Sequence, residues 1–137
     1  RNFTSNLLEL LEEEQRYWVA QMIWRAIHAD HRVDQREYKY VETILQLIEH
    51  DPLRFQQLCQ LDSQVPFPSI IGLDQNLRKE IYRYIVEIMM IDDEYTEEEA
   101  NFVRDVGEQL GYDARERDKV IQPVASAQMI RKIHFQD

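Results

Sequence analysis

Four carboxylates stand at matching places in two stretches of this chain. The first stretch is Ile27-His28-Ala29-Asp30-His31-Arg32-Val33-Asp34-Gln35-Arg36-Glu37. The second is Met89-Met90-Ile91-Asp92-Asp93-Glu94-Tyr95-Thr96-Glu97-Glu98-Glu99. An offset of 62 residues carries Asp30 onto Asp92 and Glu37 onto Glu99. Carboxylates brought together repel one another unless protons or a cation intervene. Hard oxygen ligands of this kind suit Ca²⁺, Mg²⁺ or Mn²⁺. Asp30, Glu37, Asp92 and Glu99 are therefore the candidate metal ligands.

The same residues have a plainer use. Asp34 and Thr96 fit helix N-caps, and Glu37 and Glu99 then fall at N3, which makes a capping box in each stretch. Acids at a helix start are also favoured by the helix dipole. Six of the eight residues from Asp92 to Glu99 are acidic, more than a cap needs, although a solvated acidic face also accounts for them.

Other site chemistries are poorly supported. The alternating Asp ligands and the Gly of an EF-hand are absent from both stretches. A di-iron carboxylate bundle wants Glu-x-x-His, and none of His28, His31, His50 and His134 has a Glu three residues before it. His28 and His31 make a weak transition-metal pair and read better as helix-end residues. No phosphate loop, nucleophile elbow or His-Glu-x-x-His motif is present. Cys59, the one cysteine, allows no internal disulfide and no cysteine zinc site, and it reads as a core residue. Trp18 and Trp24 read as packing residues. No catalytic residue is assigned.

The elements that must position the acids are helical. Three glycines and four prolines in 137 residues are too few for a sheet with tight hairpins. A first helix is expected over 4–14, capped by Thr4 or Ser5, with Leu7, Leu8 and Leu11 on one face. A second is expected over 16–29, with a stripe of Tyr17, Ala20, Trp24 and Ile27. After the first acidic loop, Tyr40, Val41, Ile44, Leu45 and Ile48 mark a third. Asp51-Pro52 starts a fourth. Residues 62–73 contain Pro66 and Pro68 and read as a connector packed across the core. Asp74 caps a helix over about 75–91, Thr96 caps another that Gly111 stops, and Asp113 caps a last one to about Gln122, where Pro123 ends it. The tail over 123–137 is expected to dock as a short helix. The whole is an all-α single domain of about seven helices, with two helix–acidic loop–helix repeats related by a pseudo-two-fold.

Bulk composition narrows the partners. With 44% hydrophobic and 31% charged residues the chain reads as a soluble globular protein. A formal net charge of −10 is a poor match to a phosphate backbone, so nucleic acid is not expected. It suits a cation or a basic protein partner. No apolar run is long enough for a membrane span, and no signal peptide is visible. A lone cysteine fits a reducing, cytoplasmic compartment. The start at Arg1 fits a fragment of a longer chain.

The first stretch resembles the Ala-Asp-Gly-x-Val-x-x-x-Glu motif of the tellurite-resistance protein B (TerB-like) family. The second is similar to that family's second motif, and Phe102 to Gly111 looks like its closing helix. The resemblance covers residues 16–122. The glycine after the motif Asp is His31 in one copy and Asp93 in the other. The resemblance implies an all-α fold with internal pseudo-symmetry and a link to tellurite resistance and stress response. It also implies a metal site, carried here onto Asp30, Glu37, Asp92 and Glu99.

Three functional expectations follow. The first is a non-enzymatic TerB-like module that binds a divalent cation or a protein partner through its acidic loops. The second is a pure interaction scaffold whose acids only cap helices. The third, less favoured, is a metal-dependent hydrolase. Partner identity and oligomeric state are not fixed by the sequence.

Overall fold

A computed structural model of the chain describes residues 2–29, 38–62, 65–91 and 95–135. Among them are seven helices and no strand: α1 Phe3–Leu10, α2 Glu13–Ile27, α3 Tyr38–Leu47, α4 Pro52–Cys59, α5 Gln75–Met89, α6 Glu97–Gln109 and α7 Ala114–Phe135. By its contacts the chain divides into two compact units, Arg1–Leu73 and Asp74–Asp137. None of the helices is long and apolar enough to cross a membrane among the described residues.

In the first unit α2 packs on α3 and α4, and α1 packs on α3. Leu7 and Leu11 bury against this core, with Val19, Ile23, Ile44, Leu47 and Leu58. Each such side chain contributes about 1.5–3 kcal/mol of hydrophobic stabilisation relative to exposure. Tyr17 and Trp24, expected on the buried stripe, are only half-buried, and Trp18 and Met22 take their place. The expected single helix over 4–14 is broken at Leu11, which is extended at φ −108°, ψ 144°. Asn2, not Thr4 or Ser5, caps α1 by accepting from the Ser5 N–H at 2.8 Å. Gln15 Oε1 accepts from the Glu12 N–H at 2.9 Å, and this bond seats the start of α2.

In the second unit α5 packs on both α6 and α7. Ile81, Tyr82, Ile85 and Val86 meet the face of Val103, Val106, Leu110 and Val120. Tyr82 donates to the Val103 carbonyl at 2.9 Å, which satisfies a hydroxyl that is otherwise desolvated. Gly107 is required at this contact, because a Cβ there would stand 2.9 Å from Tyr82 Oη.

The two units share element boundaries. α2 and α5 are each 15 residues long, and both begin and end 62 residues apart. Their N-caps match, Glu12 at φ −73°, ψ 163° and Asp74 at φ −74°, ψ 166°. Their C-caps match too, His28 at φ −101°, ψ 6° and Met90 at φ −98°, ψ 9°. α3 and α6 end with the same pair of bonds. His50 N–H reaches Leu45 O at 2.8 Å and Tyr112 N–H reaches Gly107 O at 2.9 Å. Glu49 and Gly111 donate to Gln46 and Glu108, completing a Schellman motif at each end. At α6 the left-handed residue is Gly111 at φ 86°, whereas at α3 both Glu49 at φ 55° and His50 at φ 56° are left-handed.

Two further sequence expectations fail. α7 does not end at Gln122 but runs through Pro123 to Phe135. Proline fixes a helical φ and loses only its own N–H, and at an exposed position water can serve the carbonyl it leaves free. Cys59 is exposed at the end of α4 rather than buried in the core, because Leu58 takes the inward position.

Candidate functional site

The second acidic motif is described from Tyr95 onward. Thr96 is extended at φ −79°, ψ 163°, and its Oγ1 accepts from the Glu99 N–H at 3.1 Å. Glu99 Oε1 accepts in return from the Thr96 N–H at 3.0 Å. This is the reciprocal capping box that the Thr-x-x-Glu spacing predicts. Helical periodicity then sorts the acids of the first turn. Glu99 lies one and two turns before Val103 and Val106, so it points inward and is only 2% exposed. Glu97 and Glu98 point out and are exposed.

The buried carboxylate is felt by its neighbour. Burial, and secondarily the charge of Glu99, raises the Tyr95 hydroxyl pKa above its ordinary value. Deeper in the unit, burial pushes the Tyr82 hydroxyl well above its usual range, with Arg117 opposing the shift.

Of the four candidate ligands, Glu99 alone is among the described residues. Asp30, Glu37 and Asp92 lie outside them, as do His31 and the Asp34 cap. Among the described residues no three His, Cys, Asp or Glu side chains are grouped as a metal site. His28 is half-buried at the end of α2. Its ring lies 4.3 Å from that of Trp24, and its Nδ1 is 2.8 Å from the Trp24 carbonyl. Since a carbonyl can only accept, Nδ1 carries the proton, and this nitrogen is occupied by its own helix.

No protein-family model, curated protein or solved structure matches the chain. What the chain can do therefore rests on its own side chains.

One arrangement was not legible in the sequence. Three donors of α2 reach the irregular segment 65–71. Gln15 Nε2 donates to Ile71 O at 2.7 Å, Trp18 Nε1 to Pro68 O at 2.7 Å, and Arg25 Nη1 to Val65 O at 2.8 Å. Trp18 is buried as a packing residue should be, yet its indole N–H also has this polar task. Arg25 has no carboxylate spaced for it along α2. The one available signal was an arginine on a face otherwise built from Met22, Ala26 and Trp18.

Proposed function

We propose that the chain is a non-enzymatic helical module, TerB-like in kind, that binds a basic protein partner through the exposed acids of its second motif. The observation that supports this is the sorting of Glu97, Glu98 and Glu99. One acid is turned inward to close the cap, and two stand in solvent at a helix start. Acids so placed steer a cationic partner more than they add to stability. The shared boundaries of α2 with α5, and the shared C-terminal end of α3 with α6, support a duplicated helix–acidic loop–helix unit. With the motif resemblance, this reading carries a role in tellurite resistance or stress response. A cytoplasmic location goes with it, since an exposed free thiol at Cys59 suits a reducing compartment.

A polyarginine peptide tests the partner surface. Replacing Glu97 and Glu98 by Gln weakens its binding about tenfold at low salt, while the charge-matched replacement of Glu42 and Glu108 weakens it less than about twofold. Equal weakening by the two pairs rejects the reading.

The burial of Glu99 favours a second reading, in which a divalent cation (Ca²⁺, Mg²⁺ or Mn²⁺) is held within a motif. Asp92 with Glu99, and Asp30 with Glu37, would supply the hard oxygens. Isothermal calorimetry with each cation tests it. Heat that Glu99→Gln abolishes supports the cation, and no heat at millimolar metal rejects it.

A further inference from the structure

Segment 65–71, Val-Pro-Phe-Pro-Ser-Ile-Ile, lies along α2 without helix or strand. It is held by side chains of α2 through its carbonyls at positions 65, 68 and 71. A spacing of three is the repeat of an extended, polyproline-like chain. The contacts run antiparallel, from Arg25 at one end to Gln15 at the other. Pro66 and Pro68 have no N–H, so at those positions the segment can only accept. The row is peculiar to α2. The residues 62 positions on, in α5, are Leu77, Glu80 and Glu87, which offer no N–H donor. The helix pair therefore does not need this row in order to pack.

The unusual member is Arg25. It is only 8% exposed, and its guanidinium lies over the Phe67 ring at 4.8 Å. Nη1 is satisfied by Val65, but Nε and Nη2 are buried with no hydrogen-bond partner. Those two nitrogens form one edge of the guanidinium, the fork that grips a carboxylate with two parallel bonds. Burial lowers the pKa of Arg25, as expected for a cation removed from water without an anion. Beyond the three bonds and the Phe67 stack, little holds the segment. Val65, Pro66, Pro68 and Ser69 are exposed, and Ile71 is 83% exposed. Phe67 and Ile70 are its half-buried side chains, so they carry most of the apolar surface that opposes its release.

We propose that the α2 face bearing Gln15, Trp18 and Arg25 is a binding groove for an extended peptide carrying an acidic side chain, occupied in cis by segment 65–71. The incoming backbone replaces the three carbonyls. Its carboxylate fills the Nε–Nη2 edge of Arg25, which the cis segment leaves unpaired. The surface is separate from the acidic motifs and does not depend on their role.

The test uses the full chain with Phe67→Ala, which removes the stack on Arg25 and leaves every α2 donor in place. Two blocked, fluorescently labelled peptides are titrated, Val-Pro-Glu-Pro-Ser-Ile-Ile and the same sequence with Gln for Glu. The Glu peptide binds the Phe67→Ala chain at least about tenfold tighter than the Gln peptide does, the worth of a charge-assisted fork. It binds the unaltered chain more weakly, because the cis segment competes. Arg25→Lys keeps the charge without the fork and removes the preference. Equal affinity of the two peptides, or no saturable binding at millimolar peptide, overturns the proposal. Should Arg25→Lys not fold, two in-chain variants decide. Phe67→Glu melts several degrees above Phe67→Gln at neutral pH and loses that advantage once the carboxylate is protonated. Equal melting at both pH values overturns it.

Discussion

Position 20 on α2 is alanine and position 45 on α3 is leucine, whereas 62 residues on α5 has Tyr82 and α6 has Gly107. In the second unit the bulk sits on the first helix of the pair and the gap on the second. In the first unit the order is reversed. α2 and α5 are alike in length and caps, and α3 and α6 are alike at their C-terminal ends, so these boundaries go with either distribution. What the second unit does not tolerate is bulk on both sides, since a Cβ at 107 already meets Tyr82 Oη at 2.9 Å and Arg117 Cδ at 2.5 Å. Like boundaries therefore go with unlike residues at these positions, and in the second unit the room at Gly107 is taken by Tyr82 and Arg117.

The sharpest way to break that comparison is at Tyr82. Tyr82→Ala removes a buried ring and its bond to Val103, and costs about 3–5 kcal/mol in urea unfolding. Gly107→Ala destabilises the unaltered chain and costs less in the Tyr82→Ala background, where only the flexible Arg117 side chain has to give way. An equal cost in both backgrounds would show that Tyr82 does not set the room at position 107.

Alkaline pH separates the units next. Tyr82, Tyr95 and Tyr112 of the second unit all have hydroxyl pKa values raised chiefly by burial, as has Tyr17 of the first. A raised folded pKa means that the native state holds the proton more tightly than the unfolded chain does. The stability it contributes is complete below the ordinary value of 10 and is lost as pH rises above it. The second unit is expected to lose helical signal first above that pH, in step with phenolate absorbance. Loss of the first unit before the second would contradict this.

The smallest effects lie at the Schellman ends. Gly111 sits at φ 86°, so Gly111→Ala costs about 1–2 kcal/mol. Glu49 holds the same place at φ 55° as a non-glycine residue, so Glu49→Gly relieves about 1 kcal/mol. Part of that gain is offset by loss of the Arg16–Glu49 contact at 3.2 Å, whose glutamate is 70% exposed and whose worth is about 0–1 kcal/mol. Thermal melts of the two variants should therefore move in opposite directions.

The capping residues were the most legible part of the chain. Asp51, Asp74 and Thr96 cap the helices expected of them, and Asp113 pairs with Glu116 at the start of α7. Caps are local, so short spacing is enough to find them. Tyr82, the largest fully buried side chain among the described residues, was not singled out in the sequence. Pro123 and Cys59 misled, since whether a proline stops a helix or a thiol is buried depends on what packs nearby. The α2 row was invisible because its partners are backbone carbonyls 40 to 56 residues away, and any residue type can supply a carbonyl. Of the acidic site, the Thr96–Glu99 box was readable, while the burial of Glu99 was not read from the sequence.

The two prolines of the cis segment have one more consequence. Val65, Phe67, Ile70 and Ile71 would make a good exposed β-strand, and a second chain could pair with its free edge. Pro66 and Pro68 remove two of the N–H groups that such a ladder needs, so the segment is a poor template for intermolecular sheet. They act as gatekeepers against aggregation at a run of extended, apolar backbone in this helical protein.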